Sequence, residues 1–203
     1  MLPERPDATV DVIAYDPAWP AAFEAERANL LVAWPALVAV EHIGSTAVPG
    51  LAAKPTIDVL AVVTDADIDH DGIDADSIDT GVPAAVSARV PAVIAAFQAL
   101  GYQWVADSFA DDPQHLFLHR LRAGKRTHHL HVVAASSPLV ARYLLFRDYL
   151  RAHPGEAARY AAFKQDLATR YAQQRDRYVD AKPPFVDATI EQARRWGATG
   201  HRA

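Results

Sequence analysis

The sequence has no cysteine and no long apolar run, and both absences narrow its class. Without cysteine the chain can form no disulfide, no thiolate metal site and no cysteine nucleophile. Charged residues interrupt every apolar stretch before it reaches the roughly 20 residues of a membrane helix. The polar residues 1–11 contain no apolar signal core. We therefore expect a soluble, cytoplasmic protein with no membrane partner. Its 203 residues, 51% of them hydrophobic, can bury a substantial core.

Positive charge is scarce in the first part of the chain. Residues 1–113 contain 4 Lys or Arg against 18 Asp or Glu, whereas residues 114–203 contain 16 against 7. Such a division is typical of a site where a basic wall faces an anionic ligand. It is equally typical of C-terminal helices with solvated arginines. The whole chain is acidic, with a net charge of −5, and shows no recognition motif, so we do not expect a nucleic acid partner.

No proline-, glycine- or serine-rich linker divides the chain, so we predict one domain over residues 1–203. Apolar patterning predicts strands at 10–15, 37–43, 57–63, 102–105, 115–120 and 127–133, the last two joined by a turn near Gly124. Helices are predicted between Pro20 and Trp34 and at 90–100, 139–152, 154 to about 179, and 184–196. Strands followed by helices indicate an α/β or α+β fold. Its sheet-bearing part covers about 10–135, and a C-terminal helical cover about 138–197.

Residues 64–87 contain seven aspartates and little periodicity, which predicts a loop or insertion. The stretch from Asp67 to Gly72 matches the first half of a calcium-binding EF-hand loop. Asp74 and Ile78 then stand where that loop requires an apolar residue and a bidentate glutamate. We interpret the segment as a solvated acidic loop.

The most informative segment joins two predicted strands. One strand ends at Gly44, Ser45 and Thr46, and the next brings Asp58 back beside it. Glycine permits close approach of a ligand, and turn N–H groups with the two hydroxyls can hold phosphate oxygens. Asp58 would then bind a divalent cation that bridges those phosphates. The same spacing also fits a tight turn followed by a structural aspartate.

Several longer strings together resemble one family. Gly-Ser followed about a dozen residues later by Asp58 resembles the signature of the nucleotidyltransferase superfamily. The full string, HIGSTAVPGLAAKPTIDVLAVV, resembles the GrpB family within it. Matching strings follow in order: HHLHVV at 128–133, LFRDYLRAHP at 145–154, YAAFK at 160–164 and YVDAKPPFV at 178–186. The resemblance implies a nucleotidyltransferase-like mixed sheet. Some members are fused to dephospho-CoA kinase, but this chain has no Gly-x-x-x-x-Gly-Lys-Ser/Thr loop, so we expect no such kinase activity.

One position departs from the superfamily pattern. Active nucleotidyltransferases place two carboxylates two residues apart on the second strand, where they hold paired metals. Here the second position is Leu60, on the same strand face as Asp58, and leucine offers a metal no oxygen. We therefore do not expect the standard two-metal reaction, and whether the chain is an enzyme stays open.

Two histidines occupy the later strand that carries a third carboxylate in the superfamily. His129 and His131 lie on one strand face, opposite His128. With Asp58 they form a candidate one-metal set, which suits Mn, Fe, Ni or Zn better than Mg. Alternatively they bind phosphate or act as general acid or base, or they are structural. Asp58 and His131 are the candidate catalytic residues.

Basic side chains within these strings are candidate anion contacts. With Gly44, Ser45 and Thr46, the predicted phosphate contacts are Lys54, Arg147, Lys164 and Lys182. Each is also compatible with a surface charge. Arg151, for example, lies three residues after Asp148 and is spaced to pair with it.

Three functions are consistent with these residues. The first is a protein that binds a nucleotide or another phosphorylated small molecule, with or without transfer of a nucleotidyl group. The second is a one-metal enzyme such as a hydrolase, and the third is a non-catalytic ligand-binding module. The divalent metal, where one is bound, is expected to be Mg or Mn ahead of Zn or Ni. Oligomeric state is left open.

Overall fold

A computed structural model describes residues 11–68, 89–106, 108–109 and 112–198. The helices are α1 (Trp19–Ala33), α2 (Asp65–Ile68), α3 (Val90–Gln98), α4 (Pro138–Ala152), α5 (Pro154–Arg170), α6 (Arg175–Asp180) and α7 (Pro183–Ala198). The strands are β1 (Ala39–Ile43), β2 (Ile57–Val63), β3 (Tyr102–Trp104), β4 (His115–Arg122) and β5 (Lys125–Ala134). A short 3-10 turn, Ser45–Ala47, follows β1.

The five strands form one mixed sheet in the order β1-β2-β5-β4-β3. The central pair, β2 and β5, runs parallel, and the other pairs are antiparallel. Beyond Asp58, β2 is apolar, and β5 ends in the buried apolar residues Val132, Val133 and Ala134, because helices cover both faces of the sheet there. The predicted fold class is therefore confirmed: a mixed sheet with helices, and a helical run at the C-terminal end.

The two faces of the sheet pack against different helices. On one face, α1 and α3 pack against alternate residues of β2 and β5, including Val59 and Leu130, in the largest apolar cluster. On the other face, Leu60 and Val133 pack against α4 residues that include Tyr143. Strand alternation thus decides which side chains meet α1 and which meet the C-terminal helices.

The predicted strands at 57–63 and at the β4–β5 hairpin agree with the structure. The hairpin turns at Ala123 and Gly124, both with positive φ (50° and 74°), as a two-residue turn of this type requires. The predicted strand at 10–15 is wrong in extent, since the structure gives only an isolated bridge from Ile13 to Ala53. The predicted helix from 154 to about 179 is divided, because α5 ends at Arg170 and α6 begins at Arg175.

The acidic segment, predicted as a loop, begins with a short helix. Residues Asp65–Ile68 form the single turn α2, and Asp67 is buried. Its carboxylate accepts hydrogen bonds from Arg89 at 2.9 Å and from the Thr64 hydroxyl at 2.8 Å. Asp67 is therefore occupied by protein partners and is unsuited to begin an EF-hand loop. Residues 69–88, which hold the rest of that candidate, lie outside the described residues.

Among the described helices, none combines the length and the apolar character needed to cross a membrane.

Candidate functional site

Gly44 and Asp58 meet at the end of the β1–β2 pair. Gly44 follows β1 with φ of 69°, in the left-handed region that favours glycine. A Cβ atom at this position would lie 2.9 Å from both Cβ and Cγ of Asp58 and closer still to its Oδ2. The glycine is therefore required by the carboxylate beside it, and the predicted proximity of Gly44 and Asp58 is correct.

The turn after Gly44 sends its two hydroxyls in different directions. Ser45 lines the cleft described below and hydrogen-bonds the Tyr160 hydroxyl. Thr46 is buried, hydrogen-bonds Nε2 of His42 at 3.0 Å and donates to the Thr56 carbonyl at 3.3 Å. Because its hydroxyl has these internal partners, the predicted phosphate contact of Thr46 is wrong.

Asp58 is held by the strand next to it. The parallel register places Asp58 beside His129, and Nδ1 of His129 lies 2.8 Å from Oδ1 of Asp58. Burial alone would raise the pKa of Asp58, but the hydrogen bond from His129 and nearby positive charge lower it below its ordinary value. Asp58 is therefore a carboxylate. Nε2 of His129 is buried and has no hydrogen-bond partner among the described residues.

His131 belongs to a separate set of contacts. Its Nδ1 lies 2.9 Å from Nε2 of His115 and 3.2 Å from the Tyr143 hydroxyl. Burial, together with His115, lowers the pKa of His131 to about 3, so the ring is neutral. His131 therefore lines the cleft as an uncharged group, with its Nδ1 turned toward these two partners.

The side chains around Asp58 do not fit a metal ion as they are arranged. In the described part of the chain no three His, Asp or Glu side chains are grouped to hold one. Within the predicted set of Asp58, His129 and His131, the first two are bonded to each other and the third to His115. Leu60 has no exposed surface and packs in the apolar cluster beneath α4, so a paired metal has no ligand there. The predicted metal set therefore does not match the observed contacts.

A cleft of about 610 Å³ opens above Asp58, between the sheet and helices α5 and α6. Five cationic side chains line it: Lys54, Arg126, Lys164, Arg175 and Lys182. Three carboxylates line it as well: Asp58, Asp176 and Asp180. Aromatic side chains complete the walls: Phe109, Phe117, Tyr160 and Tyr178. The cleft thus has an excess of positive charge against partly aromatic walls.

Lys164 is the most buried of these cations, with 3% of its surface exposed. Its ammonium donates to the Ala52 carbonyl at 2.6 Å and lies 4.7 Å from the centroid of the Tyr160 ring. Burial and the charge of Lys182 lower the pKa of Lys164 to about 7, although Asp58 acts in the opposite direction. At neutral pH this amine is therefore close to half protonated.

Lys182 faces the same cleft from the residues after α6. Its Nζ lies 4.8 Å from the centroid of the Tyr178 ring. Burial lowers the pKa of Lys182, Asp58 opposes this effect, and Arg175 and Lys54 lower it further. The two lysines therefore repel each other while sharing the attraction of Asp58. Lys54, Lys164 and Lys182, which the sequence predicts as phosphate contacts, all line this cleft.

The two arginines of α4 lie elsewhere. Arg147 pairs with Glu41 at 2.6 Å and Asp148 at 2.7 Å and donates to the His42 carbonyl. It does not line the cleft, so its predicted role as a ligand contact is wrong. Asp148 pairs with Arg147 and not, as the spacing suggested, with Arg151, which instead donates to the Ala47 carbonyl at 2.8 Å. Both arginines fix the β1 turn to α4.

Several residues of the cleft were not predicted. Tyr160 and Tyr178 stand in the strings YAAFK and YVDAKPPFV, of which only the lysines were predicted as contacts. Arg126 and the two phenylalanines had no motif to mark them. One signal in the sequence was available: the chain has only four lysines beside its sixteen arginines, and three of the four line this cleft. The fourth, Lys125, is exposed at the β4–β5 hairpin.

The amino-acid sequence is similar to those of several known proteins. A family model described as GrpB protein matches residues 9–75 and 70–192. The UPF0157 protein YqkA of Bacillus subtilis is 33% identical over 192 residues, which cover 94% of this chain and 49% of that protein. The chain therefore spans about half the length of this relative. A UPF0157 protein of Pseudomonas aeruginosa is 36% identical over 192 residues, covering 92% of this chain and 69% of that protein.

The structural comparison agrees. The crystal structure of conserved protein GrpB from Enterococcus faecalis superposes with a TM-score of 0.72 at 30% identity, covering 90% of this chain and 96% of that one. A less similar relative, the dephospho-CoA kinase of Mycobacterium bovis, is 29% identical over 205 residues, covering 96% of this chain and 48% of that protein.

Proposed function

The chain belongs to the GrpB family, and on that premise we propose that its cleft binds a phosphorylated small molecule, with nucleotides as the first class to test. We include in this proposal that the sheet is of the nucleotidyltransferase type. Binding is the function that the geometry favours over nucleotidyl transfer, because Leu60 occupies the position of a second metal ligand.

The observation that carries the proposal is the excess of cations over carboxylates around one cleft. Five cationic side chains face three carboxylates there. Burying a charged group without a counter-charge is unfavourable, and within the described residues Lys164 is hydrogen-bonded to a backbone carbonyl and forms no ion pair. A ligand with several negative charges would offset the repulsion between Lys164 and Lys182. Phosphate groups, which carry such charge in a compact form, match this requirement.

Asp58 has a defined place in this proposal. Its carboxylate lines the cleft and attracts both the buried Lys164 and the partly buried Lys182. In the absence of ligand it compensates part of their charge, and a bound phosphate would compete with it for them. Removal of Asp58 should therefore strengthen the binding of a metal-free anion. A metal site built on Asp58 would behave in the opposite way.

Calorimetric titration of untagged protein tests the proposal. Wild type is titrated with ATP, ADP and pyrophosphate, each with and without Mg or Mn. We expect wild type and Lys125→Met to bind, and Lys182→Met to bind at least about tenfold more weakly, since about 1.4 kcal/mol is lost with one charged contact. Lys125→Met is the matched control because it removes the one lysine outside the cleft.

The same titration on Asp58→Ala decides how the anion is held. Tighter metal-free binding in Asp58→Ala supports a purely cationic site. Binding that requires Mn or Mg and is lost in Asp58→Ala would contradict it and indicate a metal-dependent site. If no phosphorylated compound binds under any condition, or if Lys182→Met and Lys125→Met are weakened equally, the proposed function is wrong.

A further inference from the structure

The cleft contains hydrogen-bond acceptors as well as cations, and anion binding alone does not use the acceptors. The carboxylates of Asp58, Asp176 and Asp180 line it together with the lysines and arginines. A ligand that carried negative charge and nothing else would be repelled by these carboxylates while the cations attracted it. The acceptors therefore point to a second chemical group on the ligand, and the contacts of Asp58 define which group it is.

Asp58 has one carboxylate oxygen engaged and one available. Oδ1 accepts a hydrogen bond from Nδ1 of His129 at 2.8 Å. In the described part of the chain Oδ2 has no hydrogen-bond partner, and the side chain keeps 27% of its surface exposed. The lowered pKa of Asp58 keeps the group ionised, so both oxygens can only accept. Oδ2 is thus an acceptor that the floor of the cleft presents to a ligand.

His129 adds a second acceptor beside the first. The parallel register of β2 and β5 places His129 next to Asp58, and both side chains line the cleft. Because Asp58 is ionised, the proton of their hydrogen bond is assigned to Nδ1, which makes Nε2 of the neutral ring an acceptor. Nε2 is buried and has no hydrogen-bond partner among the described residues. An unpaired buried acceptor is unfavourable, and a donor on a bound ligand would remove that cost.

Hydroxyl groups are the donors that suit these two acceptors. An ammonium group would be attracted by Asp58, but Lys164 and Lys182, which Asp58 also attracts, would repel it. A hydroxyl group donates a hydrogen bond without adding charge, and its bond to an ionised carboxylate is stronger than one between neutral groups. A ligand with phosphate toward the lysines and hydroxyl groups toward the floor therefore matches both parts of the cleft.

Resting on the proposed function, we infer that the cleft binds a phosphorylated polyhydroxy compound, such as a sugar phosphate, whose hydroxyl groups donate to Oδ2 of Asp58 and Nε2 of His129. Lys182 and the other cations of the cleft hold the phosphate group. The ligand class is thereby narrowed from phosphorylated molecules in general to those with hydroxyl groups near the phosphate. Nucleotides belong to this class through their ribose, whereas pyrophosphate does not.

Two sugar-like phosphates test the inference on wild-type protein. Ribose 5-phosphate is compared by calorimetric titration with tetrahydrofurfuryl phosphate, which has the same five-membered ring and phosphate but lacks the hydroxyl groups on the ring. We expect ribose 5-phosphate to bind at least about tenfold more tightly, because a site with unpaired acceptors rejects an analogue that lacks the donors. Equal affinities would overturn the inference.

Three variants locate the hydroxyl contacts. Asp58→Ala and His129→Phe each remove one acceptor, and His119→Phe, on β4 and outside the cleft, is the matched control. The readout is the ratio of the two affinities, in which any change in phosphate binding cancels. We expect the ratio to fall below about threefold in the first two variants and to keep its wild-type value in the control. A ratio unchanged in both cleft variants would show that the hydroxyl groups are recognised elsewhere, and the inference would be wrong.

Pyrophosphate separates this inference from the proposed function. In Asp58→Ala, pyrophosphate should bind more tightly than in wild type, while ribose 5-phosphate loses its advantage over tetrahydrofurfuryl phosphate. If pyrophosphate binds to wild type but ribose 5-phosphate has no advantage, hydroxyl recognition is wrong and anion binding stands. If neither pyrophosphate nor ribose 5-phosphate binds, both are wrong. Circular dichroism verifies the folding of each variant, and the wild-type comparison decides the result where a variant fails to fold.

Discussion

His128 and His129 are neighbours on β5, but they lie on opposite faces of the sheet and have different hydrogen-bond partners. His128 faces α1 and joins a buried polar cluster with Glu26, Tyr102 and Arg120. Arg120 contacts both carboxylate oxygens of Glu26, at 3.1 and 2.6 Å, and the Tyr102 hydroxyl donates to the same carboxylate at 3.0 Å. His129, one residue later, faces the cleft and bonds Asp58.

The difference between these regions lies in their charge balance. On the α1 face, the positive charge of Arg120 meets a bidentate carboxylate, and burial lowers the pKa of His128 to about 4, which keeps that ring neutral. In the cleft, Lys164 and Lys182 share the attraction of one partly buried carboxylate, that of Asp58. On the α1 face the charges are balanced within the cluster, whereas the proposed function implies that a bound anion offsets the excess positive charge of the cleft. Removal of one charged side chain should therefore lower stability on the α1 face and raise it in the cleft.

The largest change in stability is expected from the polar cluster of Glu26 and Arg120 on the α1 face. Glu26→Ala leaves the guanidinium of Arg120, about one fifth exposed, without its carboxylate. We expect the free energy of unfolding to fall by about 3–5 kcal/mol, because removing one partner of a buried pair leaves an uncompensated charge. Urea denaturation measures it. Glu24→Ala, at an exposed position of the same helix, should cost less than about 0.5 kcal/mol. Equal losses in the two variants would contradict the structural role of the cluster.

The next largest change in stability is expected at Gly44, where the backbone lies against the Asp58 side chain. Gly44→Ala places a methyl group against Asp58 and forces alanine into a left-handed conformation. We expect a loss of about 2–4 kcal/mol from strain and overlap together. Gly50→Ala is the matched control, with a similar φ of 77° and open space around it. It should lose about 1 kcal/mol from conformation alone. Adding Asp58→Ala should restore part of the loss in Gly44→Ala, and a failure to do so would show that Asp58 is not the obstacle.

The smallest effect has the opposite sign. Lys164→Met keeps an apolar stem and removes the buried charge, at the expense of the hydrogen bond to Ala52. We expect the free energy of unfolding to rise by about 1–3 kcal/mol at about pH 6, where wild-type Lys164 is charged in both the folded and unfolded states. Urea denaturation again measures the change. A loss of stability at this pH would show that the lysine is a structural residue.

The pH dependence of that gain follows from linkage. The folded pKa of Lys164, about 7, lies below that of an ordinary lysine. Between about pH 7 and pH 10 the unfolded chain therefore binds more protons, and wild-type stability contributed by this residue rises with pH. Denaturation repeated at about pH 10 should show the advantage of Lys164→Met gone. If the difference in stability between Lys164→Met and wild type stays constant across this pH range, the pKa of Lys164 is not lowered in the folded state.

The sequence predicted those parts of the fold that depend on local patterns. The continuous apolar run at 57–63 defines β2 because a strand covered on both faces has no polar alternation. Gly44 and Asp58 could be placed together since a glycine turn between two strands returns the chain beside itself. The division of His128 from His129 and His131 followed from strand periodicity alone.

Features that depend on tertiary partners were not predictable in this way. The hydroxyl of Thr46 turns inward because His42 and the Thr56 carbonyl are there to receive it. Arg147 is drawn away from the cleft by Glu41, more than a hundred residues earlier in the chain. The break between α5 and α6 carries no proline or glycine to announce it. For Thr46 and Arg147 the deciding partners lie on other elements, so the pattern of one strand or helix does not contain them.

The cleft draws its walls from residues more than 130 positions apart, from Ser45 at the end of β1 to Lys182 after α6. During synthesis, the sheet strands leave the ribosome well before the helices that supply Lys164 and Lys182. A nascent chain can therefore pair its strands and bury Leu60 before it has any pocket for an anion. The cleft is complete only once α5, α6 and Lys182 have been made, and the anion binding proposed above would favour the folded chain over intermediates that lack them.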